Sequence, residues 1–289
     1  MVFKLVEAIN KMKILVSGSS GFIGSHIVNE LKKREGITPI LDINHVDLRN
    51  KNEVLNFPKA DVVIHAAGKT SQTANDDLTY LIDNNVVGTF NLLQYCFKKK
   101  IEKLIYISSY VYGKPEYCPI DENHPINPHN PYAQSKYLAE QLCQFYSKNY
   151  DTKLIILRPF NIFGKSQRLG FLMPNLLSAI QTDKKVTITN KTSKRDFLHI
   201  NDFVNLILRM LNYDTKFEIF NVGSGKAYSF EEVIKKIEKI TQKKFNIEFN
   251  ENKDTFMEET RANISKIKNH INWQPKIELE EGLRHSLES

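Results

Sequence analysis

The chain has 289 residues, 41% hydrophobic and 25% charged, with 40 basic against 33 acidic side chains and a formal charge of +7. This is the make-up of a globular protein that can bury a sizeable core as one large domain or two modest ones. No apolar run approaches the roughly 18 residues of a membrane span, and MVFKLVEAINKM lacks the apolar core and cleavage site of a secretory signal, so a cytoplasmic location with no membrane partner is expected.

In chain order, residues 1–11 read as an arm ahead of the first strong strand at Met12. KILVSGSSGFIGSHIVNELKK opens with an apolar strand, Ile14–Val16, and passes through glycines into a helix whose Ile23, Ile27 and Leu31 share one face. ITPILDIN is a second strand, and ADVVIHAAG is a third, continuously apolar as in a parallel sheet covered on both faces. A long helix over about 76–100, the strand KLIYISS, a helix over 131–149 and the strand TKLIILRPF follow. Strands alternating with helices predict right-handed crossovers and an α/β fold with a doubly wound parallel sheet of the Rossmann type.

After Phe160 the rhythm changes. GFLMPNLLSAI is a helix, KVTIT a short strand, and DFLHINDFVNLILRML a strand leading into a helix capped by Asn201 or Asp202. FEIFNVGSG is another strand, and Ser229 with Glu232 forms a capping box before an amphipathic helix. A nucleotide-binding domain is expected over 12–165 and a smaller C-terminal α/β substrate-binding domain over 166–289, with about 196–222 packing back on the first.

The positive charge is spread along the chain, and its one dense run, Lys98–Lys100, sits at a predicted helix end where cations complement the dipole. That speaks against a nucleic-acid partner and suits an anionic small molecule. Cys96, Cys118 and Cys143 show neither disulfide nor metal-ligand spacing, and His124 and His129 fall in a Pro-rich loop, so no metal site is expected.

Gly18, Gly21 and Gly24, with Phe22 and Ile23 between them, stand between the first strand and its helix. Glycine permits the tight turn and close approach of the backbone to a pyrophosphate, and the helix N-terminus favours its charge, so a dinucleotide is expected. The spacing is G-x-x-G-x-x-G. Asp42, at the end of the second strand, is placed to bond the adenosine ribose and repel a 2'-phosphate, which favours NAD over NADP; Asp47 competes for that role. In PYAQSKYLAEQLC, Tyr132 and Lys136 are one helical turn apart, so the ammonium either sits near the phenol or grips something bound beside it.

The motifs GSSGFIG, VDLRN, DVVIHAAG, NNVVGTFNLL, ISSYVYG, PYAQSKYLAEQL, LRPFNIFG, KRDFLHINDFV, FNVGSG and INWQPKIELEEGL occur in this order, from Lys13 to the C-terminus. In them the chain resembles the extended short-chain dehydrogenase/reductases, specifically the NAD-dependent epimerase/dehydratase group that acts on nucleotide sugars. The resemblance implies that Tyr132 is the acid/base and that Lys136 bonds the nicotinamide ribose and lowers the pKa of the phenol. It implies Ser108 as the hydroxyl on the reacting sugar oxygen, with Ser109 as the alternative. Asp47 and Leu48 would flank the adenine, Ala66, Ala67 and Gly68 would line the cofactor, Asn85 would support the dinucleotide fold and Pro159 would border the nicotinamide. Asn161 and Arg195 would bind the substrate diphosphate, and Arg261 a second phosphate or the nucleoside. A homodimer through the helices near 76–100 and 131–149 is also implied.

The chain departs from the group in two places. Where 4,6-dehydratases carry an Asp-Glu pair after the catalytic hydroxyl, it has Ser109 and Tyr110, neither an obvious carbon-acid base. The connection between the second strand and VDLRN is nearly absent, a feature shared with some 4-keto-sugar reductases. The leading expectation is a nucleotide-sugar 4-epimerase with tightly held NAD. The alternatives are a reductase of a nucleotide-linked 4-keto sugar, using NADH or NADPH, and a non-catalytic dinucleotide sensor.

Overall fold

The computed structural model describes residues 11–40, 46–70, 77–250 and 258–288. The arm expected over residues 1–11 lies outside them apart from Lys11. Along the chain run β1 (Met12–Ser17), α1 (Phe22–Lys32), β2 (Ile37–Ile40), α2 (Lys51–Leu55), β3 (Val62–His65), α3 (Leu78–Leu81), a π-helical segment (Ile82–Val87), α4 (Gly88–Lys99), β4 (Lys103–Ile107), α5 (Pro131–Asn149) and β5 (Lys153–Pro159). Then come β6 (Asn161–Phe163), α6 (Leu172–Thr182), β7 (Val186–Thr189), β8 (Lys194–His199), α7 (Ile200–Met210), β9 (Phe217–Val222), β10 (Ala227–Ser229), α8 (Phe230–Thr241), β11 (Ile247–Asn250), β12 (Glu259–Thr260), α9 (Ser265–Ile271) and α10 (Leu279–Leu287).

Six strands form one parallel sheet in the order β2-β1-β3-β4-β5-β9. Alternate residues of each strand feed opposite cores, because successive side chains point to opposite faces. Ile14, Val16 and Ile64 pack with α1 and α7, whereas Leu15, Val63 and Leu104 pack with α4 and α5. Both faces are therefore dry, which explains the continuous apolar runs. The chain crosses after β5 into a small sheet in which β8 pairs with β6, β10 and β12, then returns through α7 and β9 to the main sheet. A third core, built on Phe163, Leu176, Phe197, Ile237 and Leu283, holds α6, α8 and α10 together.

Local capping agrees with the sequence at most ends. Asn130 accepts from Ala133 N at 2.7 Å with Pro131 opening α5, and Ser229 and Glu232 form their capping box on α8. At α7 the expectation is corrected. His199 caps the helix through Asn201 N at 3.3 Å, and Asp202 faces away to accept from Lys276 N and Ile277 N at 3.0 and 2.8 Å. The helix starts two residues earlier than a cap at Asn201 would give, which leaves Asp202 in its first turn, facing the loop before α10.

Candidate active site

Strand order reverses at β1, so the carboxyl ends of β1 and β3 leave the crevice where open α/β sheets take ligands. A cleft of about 460 Å³ opens there, lined among others by Gly18, Gly21, Asp47, Leu48, Ala67 and Gly68. Its glycine turn is constrained by contact. A Cβ on Gly18, which has φ +70°, would lie 2.6 Å from Ala67 N, and one on Gly24 would lie 2.1 Å from Gly18 O. Gly21 caps α1 without a side chain, leaving the first-turn N–H groups turned to the cleft for an anion. These residues fit a dinucleotide pyrophosphate. Phe22 and Ile23 are the first residues of α1 and pack on the core that α1 and α7 share.

A buried latch that motif reading missed holds the two strand ends together. His65 bonds Ser17 Oγ at 2.6 Å through Nδ1 and Thr89 Oγ1 at 2.9 Å through Nε2. Burial, reinforced by Lys136, pushes its pKa down to about 3, so the ring is neutral. Asn85 lies in the π-helical segment, and its amide bonds Lys69 N, Lys69 O and Ser135 Oγ at 2.8–3.0 Å. It thereby ties the strip after β3 to the helix that carries Tyr132. Asp47 is chelated by Arg49, which donates Nε and Nη2 at 2.6–3.0 Å, and the guanidinium holds its carboxyl below the usual range. Asn91 anchors the Leu48 and Arg49 carbonyls at 2.9 and 3.0 Å. Asp42 lies outside the described residues.

Tyr132 and Lys136 leave the first turns of α5 toward the carboxyl end of β4. Lys136 Nζ donates to Ile107 O at 2.7 Å, stands 4.3 Å over the Tyr106 ring and is 3.7 Å from where a Cβ on Gly68 would be. Burial lowers its pKa to about 8. Burial holds the pKa of the Tyr132 phenol above the ordinary value, opposed by the neighbouring Ser109 hydroxyl and by Arg168. The ammonium is thus held by the end of β4, on the Ile107 carbonyl, and not by the phenol one turn away. Ser108 is buried with its hydroxyl unpaired at the end of β4.

The model of the NAD dependent epimerase/dehydratase family matches residues 14–223. The chain belongs to that family. A putative UDP-glucose 4-epimerase of Methanocaldococcus jannaschii is 32% identical, over 94% of this chain and 96% of its own. RMD from Pseudomonas aeruginosa, complexed with NADPH, superposes with a TM-score of 0.89 at 28% identity, covering 96% of this chain and 97% of its own. UDP-glucuronic acid 4-epimerase from Bacillus cereus, in complex with UDP-glucuronic acid and NAD, superposes with a TM-score of 0.84 at 27% identity, covering 96% and 98%. The protein is an enzyme of the extended short-chain dehydrogenase/reductase type, in a family that is NAD dependent.

As an epimerase/dehydratase family member, it gathers the residues expected at the substrate end on one small sheet. Asn161 opens β6 and donates Nδ2 to Asp196 O at 3.0 Å; Arg195 pairs in register with Thr260, the residue before Arg261. Asp196, missed by motif reading, fastens this end. Its carboxylate accepts from Ser224 N and Oγ, Gly225 N and Ala262 N at 2.6–3.1 Å. Arg195 lies over Phe230 at 5.5 Å and bears electrostatically on Tyr110 and His129. Arg261 is paired with Glu259 at 2.9 Å. Pro159 ends β5 and is buried, and the next residue, Phe160, packs edge-on against Tyr110 at 5.2 Å. Tyr110 spends its hydroxyl on Gly113 O at 2.7 Å. A buried chain behind the site, Glu140–Arg158–Tyr112–Asn221, links α5 to the end of β9 with hydrogen bonds of 2.5–3.1 Å. Among the described residues no group of histidine, cysteine and carboxylate side chains is arranged to hold a metal, and no helix is long and apolar enough to cross a membrane.

Proposed function

We propose that the protein is a nucleotide-sugar 4-epimerase that retains its NAD between turnovers and works as a cytoplasmic homodimer. The observation that carries this reading is the convergence, at the carboxyl ends of β1, β3 and β4, of the glycine-lined cleft, the Lys136 ammonium on Ile107 O and the unpartnered Ser108 hydroxyl. Tyr132, ionised to the phenolate in the working complex, takes the proton of the sugar C4 hydroxyl and returns it, and Ser108 or Ser109 holds the same oxygen. Lys136 keeps a positive charge on the cofactor side. NAD supplies the hydride acceptor and donor at C4, and the sugar passes through a 4-keto form that turns over before the hydride returns. Asn161, Arg195 and Arg261 grip the diphosphate, a task suited to forked guanidinium groups. Tyr110 carries no base and has its hydroxyl engaged, so proton abstraction at C5, which dehydration requires, has no agent here.

The NADPH bound to the RMD neighbour supports a second reading, a reductase of a nucleotide-linked 4-keto sugar, served by the same residues. The experiment that separates them is NMR of UDP-, GDP- and dTDP-sugars incubated with the purified protein without added cofactor. Formation of C4 epimers beyond one equivalent per protein is the expected result. Turnover only after NADH or NADPH and a 4-keto sugar are supplied would replace epimerisation by reduction. Tyr132→Phe is expected to lose at least about 100-fold in kcat and to keep cofactor binding, the range of a lost general acid/base; indifference to that change would identify a sensor.

A further inference from the structure

The ammonium of Lys136 is buried without an acidic partner. Among the described residues no carboxylate pairs with it, and Glu140, one turn further along α5, is committed to Arg158 Nη2 at 2.6 Å. The other ionisable groups around it are His65 of β3, whose ring is neutral, and the Tyr132 phenol and Cys143 thiol of α5, both kept protonated by burial. What faces the charge is a carbonyl and a ring. Nζ donates to Ile107 O at 2.7 Å and stands 4.3 Å from the centroid of Tyr106. Tyr106 is fully buried in β4, in register with His65 of β3 and Ile156 of β5. Its ring packs 5.4 Å from that of His65, which Ser17 and Thr89 hold in place. Its hydroxyl makes no well-formed hydrogen bond, because the neighbouring Thr89 hydroxyl already donates to Asn85 O at 2.5 Å and meets His65. The ring and not the hydroxyl therefore serves this position.

An aliphatic side chain would fill the same space, but it offers a buried cation nothing. The face of an aromatic ring carries the negative part of its quadrupole and attracts a cation, more strongly where water is excluded. Burial lowers the ammonium's pKa to about 8, so its charge at working pH depends on contacts of this kind. We propose that Tyr106 is a positioning residue, whose ring face holds the Lys136 ammonium charged and centred at the end of β4. Gly68, which lines the cofactor cleft, lies on the same ammonium, with a Cβ there only 3.7 Å from Nζ. Tyr106 acts through Lys136, and its role in the reaction rests on the proposed reading of Lys136 as the positive charge on the cofactor side.

The test is a titration of Lys136 itself, followed by NMR in the NAD-saturated full chain isotope-labelled at the lysine Cε carbons, with the signal assigned by its loss in Lys136→Met. Tyr106→Phe keeps the ring and should leave the midpoint where it is. Tyr106→Leu removes the face, and replacement of Tyr106 by trifluorophenylalanine keeps the shape while cancelling the negative charge of the face. Both should lower the midpoint by about one pH unit, the size of a desolvated cation–π contact. A common midpoint in all of these proteins overturns the inference and leaves Tyr106 as core filling. So does a midpoint lowered by Tyr106→Phe as far as by Tyr106→Leu, which would assign the effect to the hydroxyl. If Tyr106→Leu fails to fold, the fluorinated ring carries the comparison with Tyr106→Phe alone. Turnover is read separately. The alkaline fall of kcat for C4 epimerisation should move down together with the midpoint. A midpoint that moves without the kcat profile keeps Tyr106 as the holder of the ammonium and overturns the reading of Lys136. A protein that makes no C4 epimer loses the epimerase reading, and the midpoints still decide for or against Tyr106.

Discussion

Lys136 shows how a side chain placed for function strains the fold that holds it. Its ammonium is buried beneath Gly68, and its pKa falls from 10.5 to about 8. A shift of that size corresponds to roughly 3 kcal/mol of stability withheld at neutral pH. Because the folded state releases this proton first, stability recovers as pH rises from 8 toward 10.5. Lys136→Met should therefore stabilise the cofactor-free protein by about 1–3 kcal/mol in urea unfolding at pH 7. The gain should shrink by pH 10 while turnover is lost. A destabilised variant, or a gain independent of pH, would contradict the assigned burial cost. Sequence spacing put Tyr132 and Lys136 on one helix face, but the choice of Ile107 O over the phenol as the partner of the ammonium depends on β4 and could not be read from α5 alone.

The helices over 78–99 and 131–149 are amphipathic toward the sheet, yet they leave Tyr80, Val87, Phe97 and Phe145 exposed, at 46, 38, 51 and 56%. Phe97 stacks on Tyr150 at 4.5 Å, which joins the outer faces of α4 and α5. Exposed large side chains on these helices suit an interaction surface, and the proposed homodimer would set a second copy of the same pair against them in a four-helix contact. Phe97→Asp combined with Phe145→Asp is expected to halve the mass measured by light scattering with little change in urea midpoint, since neither ring is in the core. A mass unchanged by both substitutions would remove these faces from the interface. The same stretch contains the π-helical segment, which widens the helix where Asn85 turns in to bond Lys69 and Ser135. Hydrophobic periodicity predicts the helix and says nothing about that extra residue.

For the whole molecule, acid should act through buried neutral histidines. His65 and His199 have their pKa values depressed to about 3 and about 4 by burial, against an ordinary 6.5. Between those values the unfolded chain binds protons that the folded chain refuses, so stability falls as pH drops below about 6.5. By pH 4.5 His65 alone should contribute a loss of roughly 3 kcal/mol. His65→Asn is expected to lower stability at pH 7, where it breaks the Ser17–Thr89 latch, and to flatten the slope of unfolding free energy against pH by about one proton between pH 6 and 4. An unchanged slope would mean that the ring can be protonated in place.

Much of this protein was legible along the chain. The parallel sheet follows from apolar runs too continuous for a sheet wetted on one side; the cofactor cradle follows from Gly18, Gly21 and Gly24 between a strand and a helix; α5 begins and ends at the residues its pattern predicts. These features are local or periodic, and a one-dimensional record carries them. Contacts between distant segments are a different matter. Ser17 meets His65 and Thr89, Asp196 meets Ser224 and Ala262, Arg158 meets Glu140 and Tyr112, and Arg168 meets Thr70 across 98 residues of chain. Each joins groups that are unremarkable in their own neighbourhoods, and only the folding of loops over the strand ends brings them into hydrogen-bond range. The sequence by itself determined the class of fold and the chemical kind of the cofactor, because both rest on backbone geometry and periodic burial. Only the tertiary structure decided which carbonyl takes the Lys136 ammonium and which groups close the latch on His65, because those choices depend on separate strands and helices converging within a few ångströms.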